Sequence, residues 1–205
     1  MRIVSLNVGK ARPLKMGPRF QETGIFKKPR KGPVRLTSLG LFGDVQVDKK
    51  HHGGVDQAVY LYSWSDYEWW AEELGQELAA GTFGENITLE SFGAEPCCVG
   101  DRLRCGQVLL ELTAPRIPCA TLACRLEDMT FVKQFAQAGR PGYYARVLSE
   151  GELVAGEEFE WVSRGTFPLD EVYGYFFGEE PTAERVLELL EQPLAERLRE
   201  QFGAE

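Results

Sequence analysis

Alternating apolar and polar positions run through most of residues 1–163, in short segments separated by glycine, proline, asparagine and aspartate. A period of two residues between turn residues is typical of β-strands. The segments that carry it are 1–9, 34–37, 57–62, 86–89, 102–105, 108–112, 144–148 and 158–162. Many short strands in succession predict a mainly β domain, built as a barrel or a sandwich.

Two stretches inside this region have helical spacing instead. The first covers 65–78 and begins at Ser65, a residue type that caps helices. Its neighbourhood contains Trp64, Trp69 and Trp70, which we expect to pack in the core rather than to stack on nucleic-acid bases. The second covers about 126–138 and ends at Gly139.

From Phe167 onward the pattern is helical throughout. Helices are predicted over 168–177, from Pro181 to about Leu190, and from Pro193 to Gly203. Helices this short are not stable alone, so we expect them to pack together, against the β domain, or in a homodimer interface. The sequence therefore predicts a β-barrel domain over 1–163 with a few flanking helices, and a small three-helix subdomain over 164–205.

Composition predicts an ordinary globular chain. With 205 residues, of which 43% are hydrophobic, it can bury one substantial core. No segment resembles a signal peptide or approaches the ~20 apolar residues of a membrane span, so we expect a cytoplasmic protein without membrane contact. Five cysteines without a CxxC pair, and two histidines, favour a reducing compartment and argue against a closed zinc site.

Charge is divided unevenly along the chain, whose net charge is −8. Residues 1–50 contain twelve Lys and Arg against three acidic residues, whereas the remainder has a net charge of −17. A basic segment on an acidic protein favours a small anionic ligand over stable nucleic-acid binding, because nucleic-acid binders are usually basic overall. A solvated basic face explains the segment equally well.

Several loops have residues suited to ligands. Lys49, Lys50, His51, His52, Gly53 and Gly54 stand together before a predicted strand, where glycines let backbone N–H groups approach an anion. Lys27 and Arg30 lie in a Gly/Pro-bounded loop that suits a phosphate but lacks the P-loop order. Asn86, beside Glu85, and Arg146 are further candidates, although turn and strand residues of these types also occur for structural reasons.

Cys119 has the most informative local setting of the five cysteines. It ends the run Pro115-Arg116-Ile117-Pro118-Cys119, directly after a predicted strand. A nearby arginine favours the thiolate, the form that attacks electrophiles or binds metals. The alternative is a cysteine that fills the core, since free cysteine is among the most buried residue types.

The order of these motifs resembles one known family. TGIFK, GDxxxDxxHHGGxDxAVxxY, GxxGEN, VGDRLRxG, PRxPC and GxYxRV follow one another as in the MOSC family, named for the molybdenum cofactor sulfurase C-terminal domain. The resemblance covers about residues 1–163. TGIFK and the three terminal helices resemble its YiiM-like branch.

This resemblance implies a β-barrel that binds the molybdenum–pterin cofactor, with Cys119 as the metal ligand. A soft thiolate suits such a centre. Lys27, Arg30, Lys49 and Lys50 become candidates for the cofactor phosphate, and Gly53, Gly54, Asn86 and Arg146 for other cofactor contacts. Arg116 would hold the thiolate or contact the cofactor.

The YiiM-like branch further implies a reductase of N-hydroxylated bases and amidoximes. His52 or His51 would donate a proton near neutral pH, and a partner reductase would supply electrons. No pyridoxal phosphate is expected, because the chain has no room for the separate domain that carries its lysine. Two alternatives stay open: a carrier of the cofactor or of sulfur without turnover, and a cysteine-nucleophile hydrolase.

Overall fold

The computed structural model describes residues 1–48 and 53–203. The strands are β1 Ile3–Val8, β2 Arg12–Met16, β3 Arg19–Thr23, β4 Lys28–Pro29, β5 Val34–Thr37, β6 Gly40–Leu41, β7 Val59–Ser63, β8 Ile87–Leu89, β9 Cys98–Val99, β10 Arg102–Cys105, β11 Val108–Pro115, β12 Tyr143–Ser149, β13 Gly151–Leu153, β14 Glu160–Ser163 and β15 Phe167–Pro168. The α-helices are α1 Trp64–Leu74, α2 Ala120–Arg125, α3 Phe131–Ala138, α4 Leu169–Gly174, α5 Ala183–Glu191 and α6 Glu196–Phe202, and a 3₁₀ turn covers Val55–Gln57.

One curled eight-stranded sheet forms the framework, in the order β14-β10-β11-β12-β7-β8-β1-β4. Its strands are antiparallel except for β7 and β8, which run parallel. The segment that leads into β14 runs beside β1, where Ile3 N donates to Glu157 O at 2.8 Å and Phe159 N donates to Met1 O at 2.9 Å. The sheet thereby curls back on itself, which confirms the predicted mainly β, barrel-type fold.

A group of aromatic side chains fills the space between the sheet and helices α1 and α3. Trp70, Phe83 and Phe135 are almost fully buried, with the Trp70 and Phe135 rings stacked at 5.8 Å. Trp70 Nε1 donates to the Tyr62 hydroxyl at 2.8 Å, so the polar edge of the indole is satisfied inside the core. This confirms Trp70 as a core residue, and Trp64 and Trp69 pack against the same core while partly exposed.

The predicted helices in the β region have different boundaries in the structure. Ser63, not Ser65, caps α1, because its Oγ accepts from Asp66 N at 3.1 Å. Of the helix predicted over 126–138, only α3 at 131–138 forms; residues 126–130 are not helical, and Glu127 has a φ of 57° that does not suit a helix interior. The prediction missed α2 and was right about the end of α3 at Gly139, which adopts the left-handed conformation.

The three C-terminal helices occur as predicted, as α4, α5 and α6. Leu169, Leu189 and Leu198 from these helices are fully buried in the same core cluster as the sheet residues. Strand β15, directly before α4, pairs with β9. The division of the chain at 163/164 stays a prediction.

Within the two described segments, no helix is long and apolar enough to cross a membrane.

Candidate functional site

A cleft opens where the end of β11 meets the end of β3 and the loop after β6. Side chains and backbone from six separate parts of the described chain line it. The lining residues are Gln21–Ile25, Lys27, Val45–Asp48, Gln57, Tyr60, Phe83, Gly84, Asn86, Arg116, Cys119, Thr121 and Tyr144. The cleft therefore collects four of the residues selected from sequence: Lys27, Asn86, Arg116 and Cys119.

Cys119 is positioned by the turn between β11 and α2. Arg116 continues the β11–β12 pairing, its backbone N–H donating to Gly142 O at 3.2 Å, and Pro118 precedes the cysteine. Cys119 itself has extended backbone angles and is the residue immediately before α2, whose first turn begins with Leu122 N donating to Cys119 O at 3.1 Å. The thiol is half-buried and therefore open to the cleft.

Arg116 is the charged partner of this thiol. Its Nη2 lies 3.8 Å from Cys119 Sγ, and the side chain is only 3% exposed. The guanidinium lies over the rings of Tyr60 and Phe135, at 5.7 and 5.4 Å from their centroids. Burial acts to lower the pKa of Arg116, but its interactions with Cys119 and the nearby tyrosines outweigh this and raise it. Arg116 is thus a permanent cation beside the thiol.

The same guanidinium has an unused donor. Arg116 Nη1 is buried and has no hydrogen-bond partner in residues 1–48 and 53–203. An unsatisfied buried donor on a cation costs free energy, and such groups usually mark a bound ion, water or ligand. The arrangement therefore suits an anionic or oxygen-rich ligand held next to a thiolate.

Lys27 and Asp44 form a buried ion pair at the opposite wall. Lys27 Nζ is 2.5 Å from Asp44 Oδ2, and both side chains are less than a tenth exposed. The aspartate also accepts from Gly9 N at 2.7 Å and from Asn86 Nδ2 at 2.8 Å. Burial lowers the pKa of Lys27, although Asp44 acts to raise it. Because Asp44 largely balances its charge, the main role of Lys27 in the described structure is to hold this wall of the cleft together.

Asn86 connects that wall to the main sheet. Its Oδ1 accepts from Tyr60 N at 3.2 Å, and its backbone N–H donates to Tyr60 O at 2.8 Å. Both amide groups of Asn86 are therefore occupied by the protein, so its role in the described structure is to hold β7 and the Asp44 loop together.

Glu85 lies fully buried next to Asn86. Its Oε1 accepts from Gly81 N at 2.6 Å, Tyr67 Oη at 2.7 Å and Thr88 Oγ1 at 2.7 Å. Its Oε2 is buried without a partner among the described residues, and burial raises the pKa of this carboxyl. Through these hydrogen bonds, the buried Glu85 holds the Gly81–Asn86 loop in place, and that loop forms one side of the cleft.

Other residues selected from sequence lie outside this lining. Arg30 is exposed, with its backbone N–H paired to Leu6 O. Arg146 Nη2 donates to Pro193 O at 3.2 Å and to Leu194 O at 3.1 Å, and lies 3.0 Å from Asp56 Oδ1. It thus ties β12 to the chain before α6. Whether either arginine contacts a cofactor stays a prediction.

The histidine loop is only partly described. Gly53 and Gly54 precede the 3₁₀ turn, and Gly54, with a φ of 93°, accepts from Gln57 N through its carbonyl. Lys49, Lys50, His51 and His52 lie outside the described residues. Val45–Asp48 and Gln57, which flank them in the sequence, line the cleft.

The structure adds residues that sequence reasoning did not select. Tyr60 and Tyr144 face Arg116, and Asp44 pairs with Lys27. Burial raises the pKa of both tyrosines, so each phenol stays protonated as a hydrogen-bond donor. The sequence did contain a signal for Tyr144, because Tyr143 and Tyr144 are a polar-tipped aromatic pair beside Arg146 at the start of a strand.

The remaining four cysteines lie outside the described lining of the cleft, and none of the five is in a disulfide. Burial raises the pKa of Cys97 to about 12 and that of Cys105 to about 11. No group of three or more His, Cys, Asp or Glu side chains suited to a metal ion occurs within 1–48 and 53–203.

The curled sheet, with a thiol and a buried arginine in one cleft, defines a small β-barrel protein with a candidate soft-ligand site. Comparison with known proteins assigns the chain to a family. The MOSC domain matches residues 48–160. YflK of Bacillus subtilis is 38% identical over 163 residues, which cover 80% of this chain and 74% of that protein. This chain belongs to the MOSC domain family.

Two further comparisons extend the match. The crystal structure of YiiM from Geobacillus stearothermophilus superposes with a TM-score of 0.82 at 30% identity, covering 99% of this chain and 97% of that chain. A protein of Gibberella moniliformis named reductase is 32% identical over 146 residues, which cover 69% of this chain and 26% of that protein. The fold therefore matches the YiiM structure over nearly its whole length, including the C-terminal helices.

Proposed function

We propose that this protein binds the molybdenum–pterin cofactor in the cleft and reduces N-hydroxylated compounds there, such as N-hydroxylated bases and amidoximes. The observation that carries the proposal is the buried Arg116 Nη1, which lacks a partner among the described residues and lies beside the half-buried thiol of Cys119. Membership of the MOSC family supports the cofactor. The name of the fungal relative supports a reductive reaction.

The residues of the cleft fit this cofactor chemically. Cys119 would be the protein's ligand to molybdenum, because a thiolate is the soft donor that such a metal prefers. Arg116 would hold the thiolate ionised and offer Nη1 to an oxygen of the cofactor or substrate. Lys27 lies on the opposite wall, and Lys49 and Lys50 remain candidates for the cofactor phosphate.

The reaction needs two electrons and two protons for each substrate. R–NH–OH takes them up to give R–NH₂ and water as the N–O bond breaks. When bound, the cofactor supplies the two-electron redox chemistry. The protein's part is to orient the N–OH group, exclude water and deliver protons.

The described residues divide these tasks. Tyr144 remains protonated next to Arg116, because burial raises its pKa, and it can hold a substrate oxygen by donating a hydrogen bond. Tyr60 already donates to Pro141 O at 2.7 Å, so it forms the wall rather than a proton route. His51 or His52 stays the predicted proton donor, since an unperturbed imidazole titrates near neutrality.

Metal analysis combined with an activity assay tests the proposal. Wild-type protein from a cofactor-producing host should contain molybdenum and should reduce benzamidoxime with reduced methyl viologen as electron source. Cys119→Ser should lose both. Cys124→Ser is the matched control, a second half-buried thiol in the same helix region whose Sγ lies 3.8 Å from Met129 Sδ, and it should keep both.

Two results would count against the proposal. Absence of molybdenum from all three proteins would reject the cofactor site. Molybdenum that depends on Cys119, without turnover of benzamidoxime or an N-hydroxylated purine, would support a cofactor carrier instead.

A further inference from the structure

Besides the buried Lys27, seven basic side chains lie between residues 10 and 31, in the β2–β3 hairpin and in the segments directly before and after it. We name them the basic collar: Lys10, Arg12, Lys15, Arg19, Lys28, Arg30 and Lys31. All seven are exposed. Glu22 is the one acidic residue in the sequence between residues 10 and 31. No ion pair within the described segments involves a collar residue.

Most of the described basic side chains outside the collar form ion pairs. Eight arginines outside the collar lie within 4.0 Å of a carboxylate: Arg2, Arg35, Arg102, Arg140, Arg146, Arg164, Arg185 and Arg199. Carboxylates are plentiful, since the chain has 31 Asp and Glu against 23 Lys and Arg. A group of unpaired cations on such a protein is therefore a concentrated positive field and not the average surface.

The β2–β3 hairpin places part of this charge at the mouth of the cleft. Gln21, Glu22 and Thr23 of β3 line the cleft, and Arg12 pairs with Thr23 across the hairpin. Nearer the hairpin tip, Lys15 pairs with Phe20, whose side chain is 72% exposed. An aromatic side chain as exposed as Phe20, with a lysine beside it, is the kind of residue that anchors protein interfaces.

Core packing does not account for this hairpin. Its two strands pair only with each other among the sheets of the described structure, and of its ten strand residues Leu14 and Thr23 alone are buried. A two-stranded hairpin is marginally stable by itself. Here Arg12 and Arg125 flank the ring of Phe26, at 4.7 and 5.3 Å from its centroid, and so attach the hairpin to α2, which starts at the cleft.

We propose that the basic collar, with Phe20, is the docking surface for an acidic electron-transfer protein that reduces the cleft. The inference rests on the proposed function, because reduction of N–OH consumes two electrons that a donor must lose at each turnover. An electron donor has to approach the mouth of the redox site. Small, charged and transient interfaces are typical of electron-transfer encounters, and complementary charge accelerates their formation.

A nucleic acid fits the collar less well. The remainder of the protein, residues 51–205, has a net charge of −17, which repels a phosphate backbone that extends beyond the collar. An acidic protein domain of limited size contacts the collar alone. Charge complementarity over this restricted area therefore favours the protein partner.

Charge reversal of the hairpin tests the proposal. The variant is Lys15→Glu/Arg19→Glu, and the matched control is Arg104→Glu/Lys133→Glu, with the same change in net charge on exposed residues outside the collar. The probe is flavodoxin, an acidic flavin carrier. We expect the hairpin variant to bind oxidised flavodoxin at least about tenfold more weakly at low salt, and reduced flavodoxin to support benzamidoxime reduction about tenfold more slowly. The control and the rate with reduced methyl viologen should stay at wild-type values.

Three results separate the hypotheses. Equal binding of flavodoxin by the hairpin variant and the control would overturn the docking surface, as would collar-dependent binding of single-stranded DNA without binding of flavodoxin. Collar-dependent flavodoxin binding without any turnover from methyl viologen would uphold the surface and reject the reductase function instead.

Discussion

The guanidinium of Arg116 lies against the thiol of Cys119, with Nη2 at 3.8 Å from Sγ, while its Nη1 is buried without a partner in the described chain. Both residues belong to one short turn, but the pocket that buries Arg116 is made by Tyr60 and Phe135 from other parts of the chain. One cation therefore serves two purposes: it favours the thiolate, and it offers a donor to a ligand.

The first prediction concerns this pairing. Arg116→Gln should lower the thiolate fraction of Cys119 and slow its alkylation by iodoacetamide roughly tenfold at neutral pH, because the neighbouring cation is lost. Mass spectrometry of timed samples measures the rate at each cysteine. Cys105 is an internal control, since burial raises its pKa to about 11 and it should react slowly in both proteins. An unchanged Cys119 rate would show that Arg116 does not activate the thiol.

Glu85 should influence stability through its buried charge. Burial raises the pKa of this carboxyl in the folded state above the unfolded value of about 4.3, so folding stability falls as pH rises from about 4.3 through the folded pKa. Glu85→Gln keeps the acceptor for Tyr67 and Thr88 but cannot ionise. Relative to wild type it should therefore gain stability over that pH range, as measured by urea unfolding.

Glu85→Ala provides the contrast to this substitution. It leaves the Gly81 N–H and the Tyr67 and Thr88 hydroxyls without their acceptor, and we expect a loss of about 3 kcal/mol or more. Parallel pH curves for wild type and Glu85→Gln would argue against a raised pKa at this position.

The tyrosines should resist ionisation together. Burial raises the pKa of all seven, from Tyr60 in the cleft to Tyr175 in the C-terminal part, where it reaches about 12. An unfolded tyrosine ionises near pH 10, so the folded state retains protons that the unfolded state loses. The protonated tyrosines therefore contribute to the free energy of unfolding fully below about pH 10, and this contribution should be lost as the pH rises above that value.

Ultraviolet titration measures this directly. The native protein should show little tyrosinate absorbance at pH about 10.5, while the protein in urea should show most of it. Gradual titration of the native protein, without accompanying unfolding, would contradict the prediction.

The fourth prediction distinguishes two roles for Arg146. Because its guanidinium contacts Pro193 O, Leu194 O and Asp56, we expect Arg146→Met to destabilise the protein by about 3 kcal/mol. Arg35→Met breaks an ion pair with Glu150 in which both side chains are largely exposed, and should cost less than about 1 kcal/mol. Loss of molybdenum from folded Arg146→Met, with little loss of stability, would favour a cofactor contact instead.

Local patterns predicted the framework well. Period-two alternation located β7, β10, β11 and β12, and the prolines and glycines near the C-terminus located three helices. The prediction missed α2 and began α3 too early, because Glu127 has a positive φ that no glycine or proline announces. The extent to which Trp64 and Trp69 are buried likewise depends on the tertiary contacts around them and does not follow from their positions in the sequence pattern.

From the sequence, the candidate site could be predicted only from the turn that contains Cys119 and from the family resemblance. Asp44 and Lys27 are 17 positions apart and form a buried ion pair, while Asn86 reaches the same carboxylate from 42 positions away. Arg146, a cofactor candidate in the linear pattern, holds the C-terminal segment through the carbonyls of Pro193 and Leu194, a contact that its sequence neighbours did not indicate. Such distinctions depend on long-range contacts, which composition and spacing do not encode.

The sequence by itself determined many of the strands, the C-terminal helices and the turn that presents Cys119, because alternation, capping and turn chemistry act over a few residues. Its family membership follows from the same order of motifs. Only the tertiary structure decided which side chains share the cleft, that Arg116 is buried with an unused donor, and that strand β3 of the basic hairpin lines the cleft. Burial and charge separation depend on how distant segments pack, and this is settled by the fold as a whole.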